Sequence, residues 1–169
     1  MVIYTRVTIF KQPKSSNDGS GFFGMDIIMF KKILLAIDGS DNARRAAESA
    51  IGLFKLIDGA SLIITYISPN PPSQTRLVKA DFDVHSLLIE DAKTISKNTL
   101  EMLKESGVDY ELEVAIGDPA TEILKIREKV NAGLIIVGSR GLGSLSGVVL
   151  GSVSQKIAHH AHCPVMIVK

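Results

Sequence analysis

The stretch "AGLIIVGSRGLGSLSGVVLGSVSQKIAHH", Ala132 to His160, decides how the chain is read. It opens with an apolar run, passes through a loop crowded with glycine and serine, and ends in a segment with helical spacing. Five of the chain's fourteen glycines fall between Gly138 and Ser152. A short, continuously apolar run is the mark of a strand buried on both faces. A glycine-rich turn from such a strand into a helix can be a flexible loop, a tight-packing device or a cradle for an anion. Gly138 and Gly141 let the backbone turn and approach a ligand with no Cβ in the way. Gly151-Ser152 opens the helix, whose free N–H groups and positive dipole end favour a phosphate. The hydroxyls of Ser152 and Ser154 add donors, and Arg140 supplies a cation. The loop has no Gly-x-x-x-x-Gly-Lys. Gly141, Gly143 and Gly147 miss the dinucleotide fingerprint by one residue, and the loop follows the fourth strand instead of the first.

The same pattern repeats outward from this stretch. "KKILLAID" (31–38) and "SLIITYIS" (61–68) read as buried strands, and "YELEVAIG" (110–117) as a third. "CPVMIVK" (163–169) is the last. Between them lie helical segments. The first is capped by Ser40 or Asp41, carries apolar residues from Ala43 to Ile57 and is broken by Gly59. A long one spans Leu87 to Ser106 and stops at Gly107. Another starts at Asp118 as N-cap with Pro119 at its first position. "PNPPSQT" (69–75) is a loop, because its prolines exclude a helix. The order β-α-β-α-β-α-β-α-β, with strands apolar on both faces, predicts an α/β domain: a parallel sheet covered by helices on both sides, doubly wound in three layers. Ligands of such folds bind outside the carboxyl ends of the strands. Attention therefore falls on Asp38-Gly39, Ser68 to Pro72, Gly117-Asp118 and the Gly138 loop.

Composition sets the class. A chain of 169 residues, 46% hydrophobic and 22% charged, suits one soluble globular domain. A net charge of +1 with scattered Lys and Arg gives no nucleic-acid footprint. No apolar run is long enough for a membrane span. A single cysteine, Cys163, fits a reducing compartment, so a cytoplasmic location is expected. The first 28 residues read as a flexible extension. "MVIYTRVTIF" alternates like a strand and "KQPKSSNDGSG" reads as a linker, so the alternative is an arm that pairs with a sheet edge. Met25 and Met29 each stand where a start codon could lie. The domain proper is expected at 29–169.

Gly138-x2-Gly141-x9-Gly151-Ser152, after a strand ending "IIVGS" and before the chain end "HCPVMIVK", resembles the nucleotide-binding universal stress proteins. "KKILLAIDGSDNARRAAESA" and "GDPATEIL" extend the resemblance over residues 30–169. The glycine spacing alone would arise by accident in about one chain in a hundred. The resemblance implies five parallel strands ordered 3-2-1-4-5, an adenine nucleotide alpha hydrolase-like, Rossmann-like fold, a homodimer and bound ATP, with Mg²⁺ or Mn²⁺. It implies that Asp38 faces the ribose and adenine side, and that the Ile67 backbone meets the adenine edge. Val137 and Gly138 would lie beside the nucleoside. Gly141, Gly151, Ser152, Val153 and Ser154 would line the phosphates.

"HHAHC" (159–163) is not read as a metal site, because adjacent helical histidines diverge by about 100°. No catalytic residue is assigned. The expected function is an ATP-binding regulator or switch in stress response, acting on a regulatory protein partner. A slow ATPase and a nucleotide-independent dimeric scaffold are the alternatives. The homodimer is expected through the C-terminal edge strand "PVMIVK", as an apolar edge must be covered or used. No nucleic-acid or membrane partner is expected.

Overall fold

The computed structural model describes residues 7–10, 30–142 and 150–169, the first four by backbone alone. The expected linker, Met25, Met29, Gly143 and Gly147 lie outside the described residues. Six strands form one sheet: β1 (Val7–Phe10), β2 (Lys32–Ile37), β3 (Ser61–Ser68), β4 (Tyr110–Ile116), β5 (Leu134–Gly138) and β6 (Val165–Val168). Their order is β1-β6-β5-β2-β3-β4. Strands β2 to β6 are all parallel and carry the expected 3-2-1-4-5 order. β1 is antiparallel to β6, with Val7 opposite Val168 and Phe10 opposite Val165. The expectation of a bare β6 edge, open to a second copy of the chain, is thereby corrected. The strand-like N-terminal segment takes the ladder that the dimer was expected to use.

Alternation along the strands divides the core into two layers. Ile33, Leu35 and Ile37 of β2 pack with Ala46, Ala47 and Ala50 of α1 (Asp41–Leu56) and with Ala92, Leu100 and Leu103. Leu34 and Ala36 point the other way, toward Ala120, Ile123 and Ile126 of α5 (Pro119–Val130) and Ile157 of α6 (Ser152–His160). The alanines of α1 let that helix lie close to the sheet. Gly138, at the end of β5, is required for the same reason: a Cβ there would lie 2.8 Å from the Asn42 carbonyl carbon.

Two helical features depart from the sequence reading. Helix α2 (Gln74–Lys79) begins directly after the prolines, capped by Ser73, and Arg76 ties it to Asp91 through two hydrogen bonds of 3.0 and 2.7 Å. The long helix is two, α3 (Val84–Ile95) and α4 (Lys97–Glu105), bent at Ser96. Ser96 still donates to the Ala92 carbonyl and accepts from the Leu100 N–H, so the bend costs little hydrogen bonding. It brings the Ile95 carbonyl against the β2–α1 turn. Gly39 (φ 82°) makes room there, since a Cβ would sit 2.6 Å from that oxygen.

Asp118 caps α5, accepting from the Thr121 N–H at 3.1 Å and the Thr121 hydroxyl at 2.7 Å. The Thr121 hydroxyl first, then its N–H, and then nearby Lys156 hold the Asp118 carboxyl below its ordinary range. A depressed carboxyl stabilises the fold above its unfolded pKa, near 3.9, and loses that contribution as pH falls through the folded value. Asp118→Ala is expected to cost about 1 kcal/mol, read by urea denaturation at neutral pH. An unchanged midpoint would count against the cap as a stabilising device.

Candidate functional site

The carboxyl ends of β2, β3 and β5 open on a cavity of about 720 Å³, within the range of small-molecule sites. All ten residues singled out from the sequence line it: Asp38, Ile67, Val137, Gly138, Arg140, Gly141, Gly151, Ser152, Val153 and Ser154. Its lining is mixed. Ala36, Ile67, Ile123 and Val137, all nearly buried, supply apolar walls. The Arg140–Gly141 turn and the start of α6 supply polar groups.

Asp38 lies against the Gly141 turn. Its Oδ1 accepts from the Ser40 N–H at 3.0 Å and the Ser40 hydroxyl at 2.6 Å. Ser40 in turn caps α1, accepting from the Ala43 N–H at 3.2 Å. These bonds fix the carboxylate and leave Oδ2 with no protein donor among the described residues. The Gly141 backbone runs against that oxygen so closely that a Cβ would collide with it. Asn42 Nδ2 donates to the Arg140 carbonyl at 3.2 Å, tying the turn after β5 to α1. The β2 and β5 turns are therefore one unit, joined through Asp38, Ser40 and Asn42.

The start of α6 has no side-chain cap among the described residues. Its N-cap is Gly151, which has no side chain to offer, whereas α1, α2, α3 and α5 are capped by Ser40, Ser73, Asp83 and Asp118. Ser152 is thus the first helical residue and not the cap. Its exposed hydroxyl faces solvent at the cavity's rim. The expected donation from Ser154 is corrected: its buried hydroxyl reaches the Ser139 carbonyl at 2.9 Å and the Gly151 carbonyl at 3.0 Å. Ser154 secures the loop to the helix, and its N–H remains among the first-turn donors. The Gly151 N–H is spent on the Ser139 carbonyl at 2.7 Å. Among the described residues, no protein acceptor takes up the N–H groups of Ser152, Val153 and Ser154, and the Ser152 hydroxyl and the half-buried Arg140 stand beside them. All of these favour an anion.

Several lining residues carry no sequence signal. Tyr66 and Ile95 come from the α1/α3 layer, Ile95 only because of the bend at Ser96. Pro119 and Ile123 enter because α5 packs across β3 and β4. Burial first, then Asp91, pushes the Tyr66 phenol up, so it is neutral at physiological pH. Burial likewise raises the Cys163 thiol, away from the cavity, which makes it a packing group and not a nucleophile. His159 and His160 meet edge to face, with ring centroids 4.8 Å apart. No helix among the described residues is long and apolar enough to cross a membrane.

Comparison with known proteins bears on the family and the fold. The model of the universal stress protein family matches residues 29–169. Universal stress protein MJ0531 of Methanocaldococcus jannaschii is 35% identical over 142 residues, covering 83% of each chain. Universal stress protein YxiE of Bacillus subtilis is 36% identical over 149 residues, covering 83% of this chain and all of that one. A crystal structure of a universal stress protein in complex with cAMP superposes with a TM-score of 0.61 at 27% identity, covering 82% of this chain and 96% of that one. The architecture is the adenine nucleotide alpha hydrolase-like fold.

Proposed function

The chain belongs to the universal stress protein family, and on that premise we propose that it is an ATP-binding regulator of stress response, a nucleotide-dependent switch with at most slow hydrolysis. One observation carries the reading: a single cavity brings together nearly buried apolar walls, the Asp38 carboxylate and the start of α6, which has no side-chain cap. The apolar walls suit a planar ring. Asp38 Oδ2 suits ribose hydroxyls. The first-turn N–H groups of α6, with Arg140, suit phosphate oxygens. The cAMP complex of a relative supports a nucleotide in this fold and makes a cyclic mononucleotide the second reading.

The residues fit a metal-bearing triphosphate modestly. Asp38 is the sole carboxylate lining the cavity among the described residues, and Ser40 holds it on the ribose side. Mg²⁺ or Mn²⁺ would be held mainly by phosphate oxygens and water, with the Ser152 hydroxyl as protein donor. The metal would supply charge neutralisation on the phosphates. No lysine, histidine or second acid lines the cavity among the described residues, so a base to activate water is lacking there. Turnover with ATP and Mg²⁺ is expected well below the common enzyme median of about 10 per second. A rate above about 1 per second, abolished by Arg140→Ala or Gly151→Val, would make the protein an ATPase.

Heat release of bound ligand from the native protein, followed by mass spectrometry, tests the ligand class. An adenine nucleotide is expected. A non-nucleotide metabolite filling the site would overturn the reading, and cAMP would favour the second. The regulatory protein partner belongs to the same proposal and would be expected to bind the ATP-loaded and empty forms differently.

A further inference from the structure

Asn42, in the first turn of α1, joins that helix to the cavity's glycine turn without lining the cavity itself. Its Nδ2 donates to the Arg140 carbonyl at 3.2 Å. The Ser40 hydroxyl stands 3.4 Å from the same oxygen but is already given to Asp38 at 2.6 Å, so Asn42 is the principal donor. The Asn42 backbone is held as well, because β5 passes so close that Gly138 has no room for a Cβ against it. The amide is held by Arg45, whose Nη2 donates to Asn42 Oδ1. That bond settles which end of the amide faces Arg140, since a flipped amide would set oxygen against oxygen. Arg45 Nε is buried with no partner among the described residues. An aliphatic side chain would avoid that cost, but it could not hold the amide.

We propose that Asn42, fixed by Arg45, is a positioning residue of the nucleotide site, whose bond to the Arg140 carbonyl turns the Gly141 N–H into the cavity as a phosphate donor. The inference rests on the nucleotide reading of this cavity and adds what aims its glycine turn. The Arg140–Gly141 peptide is trans, so its carbonyl and its N–H point in opposite directions. A carbonyl drawn to α1 aims the Gly141 N–H away from α1. Helices α5 and α6, which bring Ile123, Ser152 and Val153 to the cavity, pack on the opposite face of the sheet from α1. No acceptor among the described residues takes this N–H, and Gly141 lines the cavity. An oriented backbone N–H beside the first turn of α6 extends the same anion site. Neither Asn42 nor Arg45 lines the cavity, so both act through the turn.

The test uses the full chain and two probes, ATP and adenosine, which differ only in the phosphates. Affinities are read by calorimetry, adenosine by displacement of ATP, for wild type, Asn42→Ala, Arg45→Ala and the double variant. Alanine is a good helix former, and circular dichroism checks that each variant folds. Asn42→Ala is expected to weaken ATP about fivefold or more, the scale of one lost hydrogen bond, and adenosine by no more than about twofold. Arg45→Ala should weaken ATP when Asn42 is present and add nothing in the Asn42→Ala background, the mark of two residues acting as one unit. Equal weakening of both probes would show a merely structural role and overturn the assignment, as would unchanged ATP affinity in Asn42→Ala. A loss from Arg45→Ala that persists in the Asn42→Ala background would overturn the relay between the two side chains. Wild-type protein that binds neither probe overturns the nucleotide reading itself, an outcome distinct from the others.

Discussion

Gly151→Val is expected to lower ATP affinity at least tenfold, about 1.4 kcal/mol, in a protein that still folds. The two halves of that expectation come from different observations. A Cβ at Gly151 would meet the Arg140 Cα and the Ser139 carbonyl oxygen at 3.4 Å, ordinary contact distances. Its φ of −74° is open to any residue. The protein therefore accommodates a side chain there. The ligand does not, because the branched Cβ stands over the bare N–H groups of the first turn of α6, where phosphate oxygens would come to rest. Gly141→Val should lose affinity as well, for a less selective reason: its Cβ collides with the Asp38 carboxylate, so the turn and the ribose acceptor move together. Calorimetry with ATP and circular dichroism separate the two cases. Undiminished ATP binding by folded Gly151→Val would place the phosphates elsewhere.

A second large effect concerns the sheet edge. In Thr8→Cys/Ile167→Cys, an oxidised full-length chain is expected to run as a single cross-linked monomer of 18.2 kDa, because Thr8 lies directly opposite Ile167 in the β1–β6 ladder. The 21 residues joining Phe10 to Lys32 span up to roughly 70 Å when extended. β1 and β2 are separated only by β6 and β5, roughly 14 Å of sheet. The connection is therefore long enough for β1 to pair with its own β6 or with that of a second copy. A covalent dimer would show exchange of β1 between copies, and absence of any cross-link would refute the pairing. Thr8→Pro/Ile9→Pro removes a ladder donor whichever of the two faces β6. With the apolar edge of β6 thus uncovered, the variant should sediment near twice the chain mass, by the two-fold pairing expected of a bare C-terminal strand. A variant that stays monomeric would show that β6 is not a pairing surface.

The sequence is most readable where one physical cause acts alone. Strands such as Ile33–Ile37 and Leu134–Gly138 are apolar on both faces because helices cover both sides, and that continuity marks a parallel sheet without reference to any partner. Ser40 and Asp118 announce helix starts because capping is local. The glycines and serines of the loop after β5 were legible because the carboxyl ends of parallel strands converge and the glycine spacing singles out one loop, whereas Ile67, Val137 and Val153 came only through the resemblance to a known family. What depends on tertiary fit was not legible. The bend at Ser96 is hidden by an apolar periodicity that runs through it from Leu87 to Leu103. Helix α2 is masked by the prolines just ahead of its Ser73 cap. Gly138 is required by the approach of α1 as much as by any ligand, and the Ser154 hydroxyl is spent inside the protein.

The central claim is that one adenine nucleotide occupies the cavity between Asp38 and the start of α6. Its most direct test is a calorimetric titration of ATP with Mg²⁺ into full-length protein freed of bound ligand, run beside Gly151→Val. The account predicts saturable binding at one site per chain in the wild type, weakened at least tenfold in the variant. No saturable heat at millimolar ATP, or equal binding by the two proteins, would contradict it.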